Sequence, residues 1–243
     1  MRVVDPGAAS PFLIVVDHAA RATPRALGRL GLAESAFDLH IAYDLGAGAL
    51  AARLGKRLGA TVISQTYSRL VIDCNRAPGA PGSIVEVSDG VAIPANAGLT
   101  ARDAAARAQA IHAPYHRRIG EELAARAARG WRTVLLCQHS FTPAMAGVAR
   151  PWHVGVLHLG DSAISAAMLA LLRAEGDLVV GDNQPYAMDG TDFTAPFHVR
   201  AYGCEMLELE VRQDLIAEPA GQAAMAARLA PLLERALQAT ARA

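Results

Sequence analysis

The 243-residue sequence predicts an α/β fold, a single-domain layered sandwich with a mixed, mostly parallel sheet and helices on both faces. Short apolar runs rich in β-branched residues alternate with longer amphipathic stretches, the order typical of parallel strands joined by helices. Hydrophobic residues make up 52% of the chain and charged residues 19%, which is too apolar for a disordered protein. Because no repeat or linker divides the sequence, we expect one domain over residues 1–243.

The first half of the chain is predicted to hold strands, one helix and one long loop. Residues 12–16 are apolar and β-branched, typical of a strand buried on both faces, and the run ends abruptly at Asp17 and His18. Residues 34–58 have apolar side chains at helical spacing, and Gly59 is a typical helix stop. The remaining elements here are strands at residues 61–65 and 68–72 and a Pro-, Gly-, Ser- and Asn-rich loop at residues 75–98.

The second half continues the alternation of helix and strand. Residues 100–129 form a long helical stretch with Thr100 as its N-cap, and Asp103 stands three positions further on, as in a capping box. Pro114 is expected to kink or split this helix. The other elements are strands at residues 133–137, 153–159, 178–180 and 206–211, a loop at residues 182–197, and helices at residues 162–175 and 220–241.

Charge and cysteine content exclude several classes of protein. Lys and Arg number 23 and so do Asp and Glu, so we expect no strong attraction to nucleic acid or to an acidic membrane. The sequence has no run of roughly 18 apolar residues, the length of a membrane span, and its N-terminus lacks the layout of a signal peptide. The three cysteines are far apart, which indicates reduced thiols in a cytoplasmic protein.

Polar side chains suited to hydrolytic chemistry stand at the ends of three predicted strands. His18 and His139 end two of them and Glu208 and Glu210 a third, at the edge where open α/β sheets bind ligands. A zinc hydrolase needs nitrogen or oxygen ligands with one open position, and a carboxylate that takes a proton from water. With Asp44 from the first predicted helix, these residues supply such a set. The alternative is that the histidines are ordinary hydrogen-bonded residues.

Residues 67–76 contain two arginines and an asparagine that could bind an acidic substrate. The planar guanidinium of Arg69 or Arg76 can hold a carboxylate by two parallel hydrogen bonds, and Asn75 can add a donor. The alternative interpretation is structural, with Arg69 paired to Asp73 or to another acid.

These residues lie within stretches that resemble the N-formylglutamate amidohydrolase family, in the family's order and over roughly residues 12 to 216. The matching stretches are residues 17–19 (DHA), 23–24 (TP), 40–47 (HIAYDLGA), 67–76 (YSRLVIDCNR), 93–96 (IPAN), 114–116 (PYH), 139–143 (HSFTP), 150–152 (RPW), 181–186 (GDNQPY) and 210–216 (EVRQDLI).

The resemblance implies a fold related to the zinc carboxypeptidases and hydrolysis of the formyl amide of N-formyl-L-glutamate in amino-acid degradation. It implies one divalent metal ion, Zn²⁺, with His18, Asp44 and His139 as its ligands. Glu210 is implied as the general base and later proton donor. The partner is then a small acidic N-acyl amino acid, with no nucleic acid or membrane, and the protein is a monomer or a small homo-oligomer.

The resemblance also assigns the arginines. Asn75 and Arg76 are similar to the Asn-Arg pair with which zinc carboxypeptidases hold a substrate carboxylate. Arg69 is implied either to bind a second carboxylate or to act in catalysis by stabilising the developing oxyanion.

The sequence departs from the carboxypeptidase pattern at the first histidine. The His-x-x-Glu ligand pair is absent, because Arg21 stands three residues after His18. The carboxylate ligand therefore comes from Asp44, Asp17 or Asp73. Asp17 could instead orient the His18 ring without itself binding the metal, as carboxylates often do for metal-bound histidines.

Several assignments stay open at this level. Glu208 is an alternative base to Glu210, His40 could approach the same site, and His112 and His116 stand at the i, i+4 spacing of a helical metal pair. The substrate could be another N-acyl amino acid or a peptide-like amide. A third hypothesis is a non-catalytic carboxylate-binding protein of the same fold.

Overall fold

A seven-stranded sheet forms the middle layer of the computed structural model, which describes residues 1–160 and 162–241. Its strands are β1 (Arg2–Val4), β2 (Phe12–Val16), β3 (Thr61–Ser64), β6 (Val134–Phe141), β9 (Val154–Leu157), β10 (Val180–Asp182) and β11 (Glu205–Arg212), and two small hairpins pair β4 (Val87–Ser88) with β5 (Val91–Ala92) and β7 (Ala144–Met145) with β8 (Val148–Ala149). The strand order is β1-β3-β2-β6-β11-β9-β10. The central strands β3, β2, β6 and β11 run parallel, while β1 and β9 pair with their inner neighbours antiparallel.

Helices cover both faces of the sheet. They are α1 (Ala47–Leu58), α2 (Ala101–Arg107), α3 (Ala113–Ala128), α4 (Ala163–Ala174), α5 (Thr194–Tyr202) and α6 (Pro219–Thr240). The apolar side chains of α1, α4 and α6 form one core, and those of α3 and α5 contribute to a second core on the opposite face. Strand β2 serves both cores, because Ile14 and Val16 face the first while Leu13 and Val15 face the second. The predicted α/β sandwich is therefore confirmed.

Local signals explain where several helices begin and end. Gly59 ends α1 with a left-handed φ of 57°, as the sequence predicts. The Thr100 side chain accepts a hydrogen bond from the Asp103 amide at 3.2 Å and caps α2. A π-helical turn, Ala108–His112, separates α2 from α3 just before Pro114, so the expected interruption of the long helix is confirmed.

The predicted helix over residues 34–58 is wrong in its first half. A short 3₁₀ helix, Glu34–Asp38, is followed by turns, and α1 begins only at Ala47. The backbone amide of Asp44 bonds to the carbonyl of His18 at 3.0 Å, which holds this segment against the end of β2 as a loop. Asp44 therefore lies before the helix and not on it.

Two further predictions are corrected. Residues 68–72 form turns and no strand, because the Ser68 and Arg69 amides bond to separate loops, at Ala22 and Ala42. The run looks like a strand because Leu70 and its neighbours are buried in the second core. The predicted loop over residues 182–197 ends early, since α5 begins at Thr194. Strand β1 has no counterpart among the predictions.

The topology brings the polar strand ends together. Strands β2, β6 and β11 are parallel neighbours, so their carboxyl ends meet at one edge of the sheet. Within the described residues, no helix combines the length and the apolar character needed to cross a membrane.

Candidate active site

A cleft of about 600 Å³ opens at this edge of the sheet. His18 follows β2, His139 lies in β6, and Glu208 and Glu210 lie in β11 with Glu210 in register with His139. All four side chains line the cleft, together with Asp44 from the loop before α1. The structure thus brings together the residues that the sequence analysis selected from distant parts of the chain.

His18, Asp44 and His139 form a compact set of donor atoms, called the donor triad below. One ligand atom from each lies within 4.8 Å of the others, and all three residues are buried. Asp44 Oδ2 lies 2.9 Å from His139 Nδ1 and 3.4 Å from His18 Nδ1. Two imidazole nitrogens and one carboxylate match the ligand types of a catalytic zinc site with an open position.

Each histidine of the donor triad lies against a second carboxylate through Nε2, the ring nitrogen that is not paired with Asp44. Asp73 Oδ1 lies 2.7 Å from His18 Nε2, and Asp17 Oδ2 lies 3.3 Å from His139 Nε2. The proposed pairing of Asp17 with its neighbour His18 is therefore wrong. Asp17 faces the adjacent strand β6, and its other oxygen accepts a 2.9 Å hydrogen bond from the Thr194 hydroxyl at the start of α5.

The carboxylates set the charge of the donor triad. Burial alone lowers the pKa of His18 and His139, but the aspartates around them more than reverse this, and both pKa values lie above the usual range. Burial raises the pKa of Asp17, but His139 outweighs it and lowers that pKa to about 2. The pKa of Asp44 is likewise held well below its ordinary value by the two histidines. The arrangement therefore favours positive charge between the carboxylates.

Two glutamates on β11 face the same cleft. Burial raises the pKa of Glu208 and of Glu210 to about 8 in each case, and His139 acts in the opposite direction. The Oε2 atom of Glu210 is buried and has no hydrogen-bond partner among the described residues. A buried, unpartnered carboxyl oxygen beside a donor triad is available for proton transfer.

Arg69 is held in place by acids. Its Nη2 and Nε atoms lie 2.6 Å and 3.1 Å from Asp73 Oδ2, and its Nη1 atom lies 3.5 Å from Asp44 Oδ1. The pairing with Asp73 that the sequence allowed is present. The Arg69 side chain still reaches the cleft and is 30% exposed.

Asn75 and Arg76, called the carboxylate anchor below, already hold a carboxylate of the protein. Asn75 Nδ2 and Arg76 Nη1 each donate a hydrogen bond of 3.0 Å to Asp192 Oδ1. Asn75 Oδ1 accepts hydrogen bonds from the amides of Phe193 and Thr194 at 3.1 Å and 2.9 Å, which caps the start of α5. Nothing in the sequence marks Asp192 as a functional residue, because it lies in a loop far along the chain from Asn75 and Arg76.

The other histidines considered from sequence lie outside the donor triad. His112 Nε2 donates to the Arg76 carbonyl at 3.0 Å and His116 Nε2 to the Cys74 carbonyl at 2.8 Å, so both support the backbone of the carboxylate anchor. His116 Nδ1 lies 3.1 Å from His198 Nε2. His40 lines the cleft, with Nε2 3.4 Å from Asp89 Oδ2.

The layered α/β fold and the cleft at its strand ends, with buried histidines, aspartates and glutamates, define an α/β protein with the side chains of a hydrolase. The chain belongs to the N-formylglutamate amidohydrolase family, whose model matches residues 10–217. The resemblance stated from the sequence is thereby confirmed, and the family is one of amidohydrolases.

Two solved structures share the fold. The gene product Atu2144 from Agrobacterium tumefaciens is 36% identical, with a TM-score of 0.92 over 98% of this chain and 95% of that one. The N-formylglutamate amidohydrolase from Ralstonia eutropha JMP134 shares the fold at 20% identity, with a TM-score of 0.73 over 99% and 98% of the two chains. No curated protein matches the sequence.

Proposed function

We propose that this protein hydrolyses the formyl amide of N-formyl-L-glutamate to formate and glutamate, with a metal-activated water and a glutamate base. Family membership supports the reaction, and the donor triad carries the metal mechanism. Both histidines present Nδ1 toward Asp44, and each is backed by a separate carboxylate at Nε2. This arrangement is common in zinc sites, because the outer carboxylate fixes the ring and raises its basicity.

The residues fit one divalent ion, which we propose to be Zn²⁺. His18, Asp44 and His139 would hold it, while Asp17 and Asp73 keep the imidazoles oriented. When bound, such an ion polarises the amide carbonyl and lowers the pKa of a bound water to about 7.

Glu210 is the proposed general base. Its carboxyl lies in the cleft, and within the part of the chain that the structure describes its Oε2 atom has no hydrogen-bond partner that would compete for the proton. Burial holds its pKa at about 8, above the usual range, so the acid form is accessible when the leaving amine needs a proton. Glu208 stands two residues earlier on the same face of β11 and is the alternative base.

The substrate carboxylates are proposed to bind the two cleft arginines. Asn75 and Arg76 hold one carboxylate, and Arg69 holds the second or stabilises the developing oxyanion. The contact of Asp192 with the anchor supports this, because Asn75 and Arg76 each donate a hydrogen bond to that carboxylate.

A second candidate substrate is another N-acyl amino acid with a single carboxylate. Both cleft arginines are paired with aspartates, Arg69 with Asp73 and Arg76 with Asp192, which favours a less acidic substrate. A panel of N-acyl amino acids separates the two candidates.

The purified protein provides the test. We expect zinc near one ion per chain, formate release from N-formyl-L-glutamate, and loss of that release after treatment with a chelator, with recovery on adding Zn²⁺. Formate release that survives complete metal removal would exclude the metal mechanism. A metal-loaded protein that turns over no member of the panel would instead favour a carboxylate-binding protein.

We also infer that residues 1–243 act as one domain in the cytoplasm, as a monomer or a small homo-oligomer. The seven-stranded sheet takes strands from both halves of the chain, which supports one domain. The three cysteines, Cys74, Cys137 and Cys204, form no disulfide, which supports a reducing compartment. Size-exclusion chromatography with light scattering tests the assembly.

A further inference from the structure

We propose that Asp192 is an internal latch that occupies the carboxylate anchor until the substrate carboxylate displaces it. This inference rests on the proposed function, because it concerns how an acidic substrate reaches Asn75 and Arg76. It assigns a specificity role to the segment of residues 183–193, called the cleft loop below.

The contacts of Asp192 are those of a bound ligand. Its Oδ1 atom accepts one hydrogen bond from Asn75 Nδ2 and one from Arg76 Nη1, each of 3.0 Å. Arg76 Nη1 also lies 3.4 Å from the carbonyl of Thr191. The protein therefore presents its own carboxylate at the place where an amide and a guanidinium converge.

Among the acids at the two cleft arginines, Asp192 is the one that can leave. Asp73 is buried, with its two oxygens bonded to His18, Arg69 and the Asn75 amide. Removing it would leave several buried donors without partners, which is costly. Asp192 holds the anchor through a single oxygen and belongs to a loop, so its release exposes only the groups that a substrate carboxylate would satisfy.

The charges along the cleft make such a release necessary for an acidic substrate. Two arginines line the cleft, and each is paired with an aspartate. The acids that line it in the described chain are Asp44, Asp73, Asp89, Asp189, Asp192, Glu208 and Glu210. An incoming carboxylate therefore meets repulsion until a guanidinium is freed, and exchange for Asp192 frees one without adding net charge at the anchor.

The latch links the contact between Asp192 and the carboxylate anchor to the position of the cleft loop, and so to the shape of the cleft. Pro185, Tyr186, Asp189 and Thr191 line the cleft and precede Asp192 in the cleft loop. The residues after it stay fixed, because Asn75 Oδ1 holds the first amides of α5. Release of Asp192 would therefore remove a restraint on residues 183–192 of the cleft loop, while Phe193 and the start of α5 keep their position.

The test compares two matched variants in their binding of glutarate, a dicarboxylate without a hydrolysable bond, by titration calorimetry. Asp192→Asn removes the latch charge. Asp189→Asn makes the same change on the same loop, at a residue whose carboxylate bonds to the Thr191 amide and not to the anchor. We expect Asp192→Asn to bind glutarate about tenfold more tightly than the parent. This is the gain expected if Asp192 occupies the anchor in about nine-tenths of the parent molecules, because only the remaining tenth can then bind glutarate. Asp189→Asn should gain clearly less affinity than Asp192→Asn, because it removes one charge from the cleft but leaves Asp192 on the anchor.

Weaker or unchanged glutarate binding in Asp192→Asn, or an equal gain in both variants, would overturn the latch. Circular dichroism and thermal melting establish that each variant is folded, and Asp192→Ser provides a second truncation of the same carboxylate. Formate release by the parent protein is measured separately. If the parent releases no formate but Asp192→Asn gains glutarate affinity, the proposed function fails and the latch stands.

Discussion

Asp17 precedes His18 in the chain but pairs with His139, with Asp17 Oδ2 3.3 Å from His139 Nε2. His18 is paired instead with Asp73, which comes from a loop 55 residues further on. The two imidazoles of the donor triad are therefore oriented by two separate parts of the chain. Each pairing can be broken independently, which makes its contribution measurable.

We predict that Asp17→Asn and Asp73→Asn each weaken Zn²⁺ binding by about 10- to 100-fold, because an amide orients the imidazole without supplying negative charge. The measurement is competition for Zn²⁺ against a chromophoric chelator. Asp214→Asn is the matched control, since that aspartate is exposed and pairs with Arg212. Affinities equal to the control would show that Asp17 and Asp73 do not support metal-binding imidazoles.

The donor triad could be selected from sequence only in part. His18 and His139 stand out because an apolar run of the sequence stops just before each of them, and the carboxyl ends of parallel strands meet at one edge. The partner of Asp17 could not be predicted, because the direction of a side chain just beyond a strand depends on the neighbouring strand. The roles of His18, Asp44 and His139 as metal ligands remain predictions.

The errors in the predicted elements have a common physical cause, which is hydrogen bonding between residues that are far apart in the sequence. Asp44 was predicted on a helix, but its amide bonds to His18 and keeps the segment in a loop. Helix α5 was missed because its cap is Asn75, more than a hundred residues away in sequence. Strand β2 was predicted with its correct bounds, because its apolar pattern is local.

We predict that Glu210→Gln lowers kcat for formate release by about 100-fold or more while the zinc content stays near one ion per chain. Glutamine keeps the shape of the side chain but cannot take a proton. Glu208→Gln is the matched control, because Glu208 lies on the same face of β11 and has a similarly raised pKa of about 8. A larger loss in Glu208→Gln would move the base role to Glu208.

We predict that His116 and His198 each destabilise the metal-free fold as the pH falls below 6.5, against the opposite effect of the two glutamates on β11, whose pKa values are raised to about 8. Burial lowers the pKa of His116 to about 3 and that of His198 to about 4, with His112 adding repulsion and Asp17 opposing it. Each pKa is lower in the folded than in the unfolded state, so the unfolded chain binds more protons between those values and pH 6.5. Each histidine then destabilises the fold by up to about 1.4 kcal/mol per pH unit of acidification.

The variant His116→Gln checks this prediction. Glutamine can still donate a hydrogen bond to the Cys74 carbonyl, which His116 Nε2 contacts at 2.8 Å, but it does not titrate. Urea unfolding at pH 7 and pH 5 should show that the stability of the variant relative to the parent is higher at pH 5 than at pH 7. An identical difference at the two pH values would contradict the prediction.

Gly46 is predicted to be essential for the position of Asp44. Its φ of 77° is left-handed, and a Cβ there would overlap the carbonyl oxygen of Ile216, so Gly46→Ala combines backbone strain with a steric clash. We expect it to lower the free energy of unfolding by about 2–4 kcal/mol and to weaken Zn²⁺ binding, because Asp44 stands two residues away. Gly59→Ala is the matched control, since Gly59 has a φ of 57° but open space around its Cβ, and it should cost only about 1 kcal/mol with Zn²⁺ affinity unchanged. Urea unfolding and metal competition measure both quantities, and equal losses in the two variants would show that the contact with Ile216 is unimportant.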